Sequence, residues 1–71
     1  MKVKETTYKN KKYKFIRKPF YDLAMLMYEA PVVDENNEKF LAFFDVIAEH
    51  EDDETLDTRC NWEQATGLVR L

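Results

Sequence analysis

The residues best able to do chemistry lie between 49 and 57, where Glu49, Glu51, Asp52, Asp53, Glu54 and Asp57 put six carboxylates into nine positions. Carboxylates at that density can imitate a phosphate backbone and occupy the nucleic-acid groove of another protein. They also steer encounters with basic surfaces. Against this stands the plainer use of a charge run as a solvated loop. Both uses need exposed acids, so spacing alone does not separate them.

Other chemistry is thinly supplied. The chain has one His, one Cys and one Gly, and a single Gly cannot build a phosphate-cradling loop. His50 and Cys60 form a conceivable base–nucleophile pair, yet a Cys just before Trp62 reads first as a small buried hydrophobe. His50, Glu51, Asp53, Asp57 and Cys60 are close in sequence but lack the Cys-x-x-Cys or His-x-x-x-His spacing of a zinc site. Asp34-x-Asn36-x-Glu38 imitates the first half of a calcium loop, with Lys39 where Gly belongs and Asp45 where the bidentate Glu belongs. Turn chemistry accounts for it better. The expectation is a non-catalytic protein with no cofactor and no metal.

The opposite charge is concentrated at the start. Eight of the eleven Lys and Arg residues fall in the first eighteen positions, opposed there only by Glu5. The formal net charge of −3 hides two opposed blocks, an asymmetry that speaks of partners. Lys11, Lys12, Lys14 and Lys18 are the alternative binding residues, reaching phosphates while Tyr8, Tyr13 or Phe15 stack on bases. Strand alternation points Tyr13 and Phe15 inward instead, and lysines on an outer strand also protect a sheet edge from aggregation. A further reading is internal: the basic hairpin packs beside the acid loop, or pairs two protomers head to tail.

The elements that must position these groups read mainly as strands. Val3 to Tyr8 and Lys12 to Arg17 form a hairpin about Lys9-Asn10-Lys11. Residues 20–33 and 38–49 fit either helical stripes or the two arms of a long hairpin, Tyr21 to Val33 and Lys39 to Ala48. Asp34-Glu35-Asn36-Asn37-Glu38 makes a good turn between such arms. Met25, Leu26, Met27 and Tyr28 read as core; if their strand faces solvent, Leu26 and Tyr28 form a patch fit for a dimer or partner. Leu56 anchors the acid loop, Trp62 plugs the core, Asn61 caps a helical turn through Ala65, and Leu68 to Leu71 is a last strand.

The Tyr8–Phe15 stretch, with its Lys-Tyr-x-Phe strand, resembles the opening of small uncharacterised bacterial and phage mobile-element proteins. The run from Asp45-Val46-Ile47 to Cys60-Asn61-Trp62-Glu63 is similar to a tail in such proteins that ends Cys-Asp-Trp-Glu, with Asn61 here in place of Asp. The resemblance implies a β-rich fold and a bacterial or phage setting, and carries no activity.

Seventy-one residues make one domain, 1–71. The polar N-terminus lacks the apolar stretch of a secretory signal, no run approaches a membrane span, and the lone Cys60 fits a reducing cytoplasm. The expected fold is a small antiparallel meander of four to five strands with a short helical turn near the C-terminus; the alternative is α+β, the N-terminal hairpin packed on helices at 20–30 and 38–50. The expected function is protein–protein contact through the acid loop, in the manner of an inhibitor or DNA mimic. The partner is then a protein, with a basic nucleic-acid groove as one form. A nucleic-acid binder and a structural homodimer are the alternatives.

Overall fold

The computed structural model describes all residues, 1–71. Six strands form one antiparallel sheet: β1 (Glu5–Tyr8), β2 (Lys11–Phe15), β3 (Phe20–Asp22), β4 (Met27–Val33), β5 (Lys39–Phe44) and β6 (Gly67–Arg70). The chain is therefore mainly β, and the helices at 20–30 and 38–50 do not form. No helix is long and apolar enough to cross a membrane.

The first hairpin is tighter than the sequence suggests. Lys11 already pairs with Tyr8, so the turn consists of Lys9 and Asn10 alone. Both have positive φ, 50° and 65°, as a type I′ turn requires. The β4–β5 turn forms as expected. Asp34 Oδ1 accepts hydrogen bonds from the backbone N–H of Asn36 (2.8 Å) and Glu38 (2.9 Å). That commits the carboxylate to turn geometry.

The expected long arm from Tyr21 to Val33 is broken. After β3 the chain reverses through Leu23–Leu26 and re-enters the sheet at Met27. Asp22 makes this reversal by accepting from the N–H of Ala24 (2.9 Å) and Met25 (3.1 Å) on one carboxylate oxygen. Leu26 completes it at a φ of 55°. No Gly, Pro or Asn marks the turn, so nothing in the composition of 20–33 announces it.

This break makes the sheet more than a meander. β2 and β3 lie end to end along one side of β4, Phe15 against Val32 and Phe20 against Glu29. Residues 16–19 cross between them. The carbonyl of Pro31 in β4 faces that crossing, where it accepts from Ile16 N–H (3.0 Å). In an antiparallel strand a residue's N–H points the same way as its C=O. The donor that proline lacks is therefore missing at the gap between β2 and β3, where a proline in a central strand does least harm.

The strand order β1-β2-β4-β5-β6 leaves β1 and β6 at the ends, and the strip before β6 joins them. Thr7 N–H donates to Glu63 O (2.9 Å) and Ala65 N–H donates to Thr7 O (2.9 Å). One residue later Thr66 N–H donates to Phe43 O of β5 (2.8 Å). This clasp covers the middle of the β1 edge. It also replaces the helical turn expected at Asn61–Ala65. Asn61 starts a tight turn by accepting from Glu63 N–H on its side chain (3.3 Å), while helical geometry lies earlier, in 3₁₀ turns at Ala48–His50 and Leu56–Thr58.

The core sits on one face of this clasped sheet. Alternation sends Tyr28, Ala30 and Val32 of β4 and Ala42 and Phe44 of β5 to one face, joined by Tyr13, Cys60, Trp62 and Ala65. Ala30 and Ala42 face each other across the two longest strands, in one cluster with the rings of Tyr13, Tyr28, Phe44 and Trp62. Trp62 is 2% exposed, its ring 5.4 Å from Tyr28 and 5.0 Å from Phe44 between centroids. Such contacts add to the area term in a chain too small for a large core.

Candidate functional site

The acid run is a closed loop with a fastened base. Val46 pairs with Cys60, and Ile47 N–H donates to Arg59 O (2.8 Å), so residues 47–59 leave and rejoin the sheet at one place. Two side chains pin the interior. The Trp62 indole N–H donates to Leu56 O (2.6 Å) while Leu56 packs on the core. Arg59 donates from Nη1 to the Tyr28 hydroxyl (2.8 Å) and from Nε to Asp53 O (2.9 Å), with Nη2 on the same carbonyl. A loop closed at its ends and packed by its own side chains is an Ω-loop, a form that often carries function. Arg59 went unremarked in the sequence; its one signal is being the only cation among the acids of 45–63 apart from His50.

The six loop acids do not act alike. Glu49, Glu51, Asp52, Glu54 and Asp57 are exposed. Asp53 is not a free contact residue: it is half-buried, accepts from the Thr58 hydroxyl, and lies 3.2 Å from His50 Nδ1. Its carboxylate shapes the loop. Asp57 accepts one backbone N–H, from Lys2 (3.2 Å), which ties the N-terminus to the loop. The chain's two ion pairs are His50–Asp53 and Arg70–Glu38. The basic hairpin therefore makes no salt bridge to the acid loop, contrary to the expectation of internal neutralisation.

Lys11, Lys12, Lys14 and Lys18 are all exposed, with no ion pair. Around Lys11 and Lys12 the surroundings are mixed in sign, whereas Lys14 and Lys18 also line a recess with Lys4 and Arg17 and no acid. Lys14 sits opposite Glu5, and the recess beside Lys11, Lys12 and Lys14 is also lined by Asp34 and Glu35.

Next to the acid loop lies a feature that sequence reading missed. Tyr21, Leu26, Tyr28, Val46 and Ala48 line an open groove of about 620 Å³, with Glu51 and Asp52 on its rim. It lies where the β3–β4 hairpin meets the start of the loop. Met25 to Tyr28 do not form core as a group: Tyr28 is buried, Met27 half-buried, and Met25 and Leu26 exposed. Leu23 is 79% exposed and Leu26 68%. Periodicity could not reveal this, since four apolar residues in a row look alike whether they line a core or crown a turn.

Three groups have displaced proton affinities. Glu29 is 5% exposed, lies beside the Asp22 carboxylate, and is pushed up to about 7 by burial first and by Asp22 second. Asp22 is lowered, chiefly by the hydrogen bond with Glu29 and then by the Met25 N–H. The two carboxyls are neighbours at the base of the β3–β4 turn, an arrangement that favours a proton on Glu29. The groove and the recesses described above are lined by neither. The Cys60 thiol is buried, faces Phe44 O at 3.9 Å, and is raised to about 11 by desolvation, with Asp45 adding. His50 engages Asp53 instead, so the conceivable Cys60–His50 pair is not assembled.

No family model, curated protein or solved structure matches this chain.

Proposed function

We infer that this is a non-catalytic binding protein that works through protein–protein contact, with the loop from Glu49 to Asp57 as its contact surface. The observation that carries the reading is the contrast within one loop. Its backbone is fixed by Arg59 and Trp62, while Glu49, Glu51, Asp52 and Glu54 stand exposed without a cationic partner. A fixed array of free carboxylates is pre-organised for a basic surface, whether that surface normally takes nucleic acid or not. The action is that of an inhibitor or adaptor, in a cytoplasm that keeps Cys60 reduced. What supports a non-catalytic role is that Glu29, a carboxyl raised to about 7, is covered, and that the buried Cys60 thiol holds its proton.

The test is affinity capture from bacterial lysate, with and without nuclease, using wild type and a Glu49→Gln, Glu51→Gln, Asp52→Asn, Glu54→Gln variant. Asp53 is left intact because it shapes the loop. A protein partner that survives nuclease and is lost with the variant is the expected result. Recovery of nucleic acid, sensitive to Lys11, Lys12, Lys14 and Lys18, refutes it in favour of the basic hairpin.

A further inference from the structure

We propose that the apolar groove between the β3–β4 turn and the acid loop is a docking site for a cationic amphipathic segment of the partner. In such a segment apolar side chains enter between Leu26 and Val46, and flanking Lys or Arg residues meet Glu51 and Asp52. The proposal rests on the protein-contact reading above and names the kind of partner it takes.

The β3–β4 turn is costly as built. Its tip carries Leu23, Met25 and Leu26, all exposed, where a turn ordinarily carries Gly, Asn or Asp. Leu26 also adopts a φ of 55°, a left-handed conformation that is rare and unfavourable for a bulky side chain. Folding alone gains nothing from an exposed, strained leucine here, because Asn would serve the turn better. The same side chain does line the groove, opposite Val46 and Ala48 and beside the edge-to-face pair of Tyr21 and Tyr28, centroids 5.1 Å apart. A flexible Leu side chain beside aromatic rings is a usual means of gripping an apolar anchor.

Charge decides the occupant. The rim residues Glu51 and Asp52 are exposed carboxylates with no ion pair, and Glu49 and Glu54 extend the negative field along the loop. An anionic lipid surface is repelled by that rim, and a purely apolar ligand leaves it unmatched. A segment with apolar residues on one side and Lys or Arg beside them satisfies both parts of the surface, the helix-in-groove form of recognition being one that fits. A naked polycation satisfies only the rim.

The probes are three labelled synthetic peptides of about 15 residues: Leu and Lys at amphipathic helical spacing, Leu and Glu at the same spacing, and Lys with Gly. Binding to the full chain is read by fluorescence anisotropy. The Leu–Lys peptide is expected to bind best, and Leu26→Asn to weaken it by about tenfold or more. That variant suits the left-handed position, so its melting temperature should hold or rise, separating lost contact from lost fold. Leu23→Ser, exposed on the same turn but outside the groove lining, should leave binding unchanged; equal weakening by both variants overturns the groove. Equal binding of the Lys–Gly peptide, sensitive to the acid substitutions but not to Leu26→Asn, overturns the groove while leaving the acid-loop reading intact. Failure of every peptide overturns both. Preference for the Leu–Glu peptide, uptake onto anionic phosphatidylglycerol vesicles, or self-association abolished by Leu26→Asn overturns the choice of occupant.

Discussion

Replacing Glu29 with Gln should make the protein more stable at pH 8 and leave it nearly unchanged at pH 5. Glu29 is covered by its neighbours on the sheet and sits beside Asp22, so its charged form is opposed twice, by desolvation and by a like charge. Its proton affinity rises from an ordinary 4.5 to about 7 in the fold. The folded chain therefore holds a proton that the unfolded chain releases between those values, and stability falls as pH rises through that window. At about 1.4 kcal/mol per tenfold change in proton affinity, the loss reaches on the order of 3 kcal/mol above pH 7. A domain of this size has roughly 4–10 kcal/mol in total, so the effect is a large fraction of it. Asp22 is lowered instead, so its contribution is lost only as pH falls below the ordinary carboxylate range, outside the window. The Gln amide can still donate to Asp22, which preserves the bond without the charge. Urea unfolding of both proteins at pH 5, 6, 7 and 8 makes the measurement, and taking their difference cancels every other titrating group. A difference that stays flat across that range would refute the reasoning.

Two further outcomes follow from the core. Thr6 is buried with a hydroxyl that has no hydrogen-bond partner, so Thr6→Val, which keeps the shape and removes the unsatisfied group, should raise stability by about 1 kcal/mol in the same unfolding assay. The Cys60 thiol, held at about 11, should be inert to a disulfide reagent at pH 8 in the native state and react promptly in denaturant; fast native labelling would contradict its burial and place it at an accessible surface.

The sheet was legible in the sequence wherever chemistry at the turn agreed with alternation along the strand. The first hairpin, the Asp34–Glu38 turn, the last strand and the Trp62 plug all carry such agreement. The reversal at Leu23–Leu26 carries none: Asp22 builds it through its own carboxylate, and the residues that follow are typical of a strand or helix interior. Misreading that one turn hid the groove, the exposed tip and the Glu29–Asp22 pair together, because all three depend on β3 folding back on β4. The acid loop was visible as composition, but its division into free acids and the structural Asp53 depends on Thr58 and His50, neighbours that only the loop's closure brings to it. Likewise Arg59 gains its role from Tyr28, far away along the chain.

The clasp between Thr7 and the Glu63–Ala65 strip sets an order of assembly. The β1–β2 hairpin needs only a two-residue turn and can form within microseconds, whereas the seam joins positions more than fifty residues apart and must wait for nearly every other strand. It is thus the natural last step in folding and the first to part. When it parts, β1 regains a bare edge, and the amides of Thr7 and Ala65 lose their partners in one event. Both should exchange with solvent at a common rate, faster than the amides of the β4–β5 ladder, and that brief opening is when the N-terminal strand is most exposed to pairing with another chain.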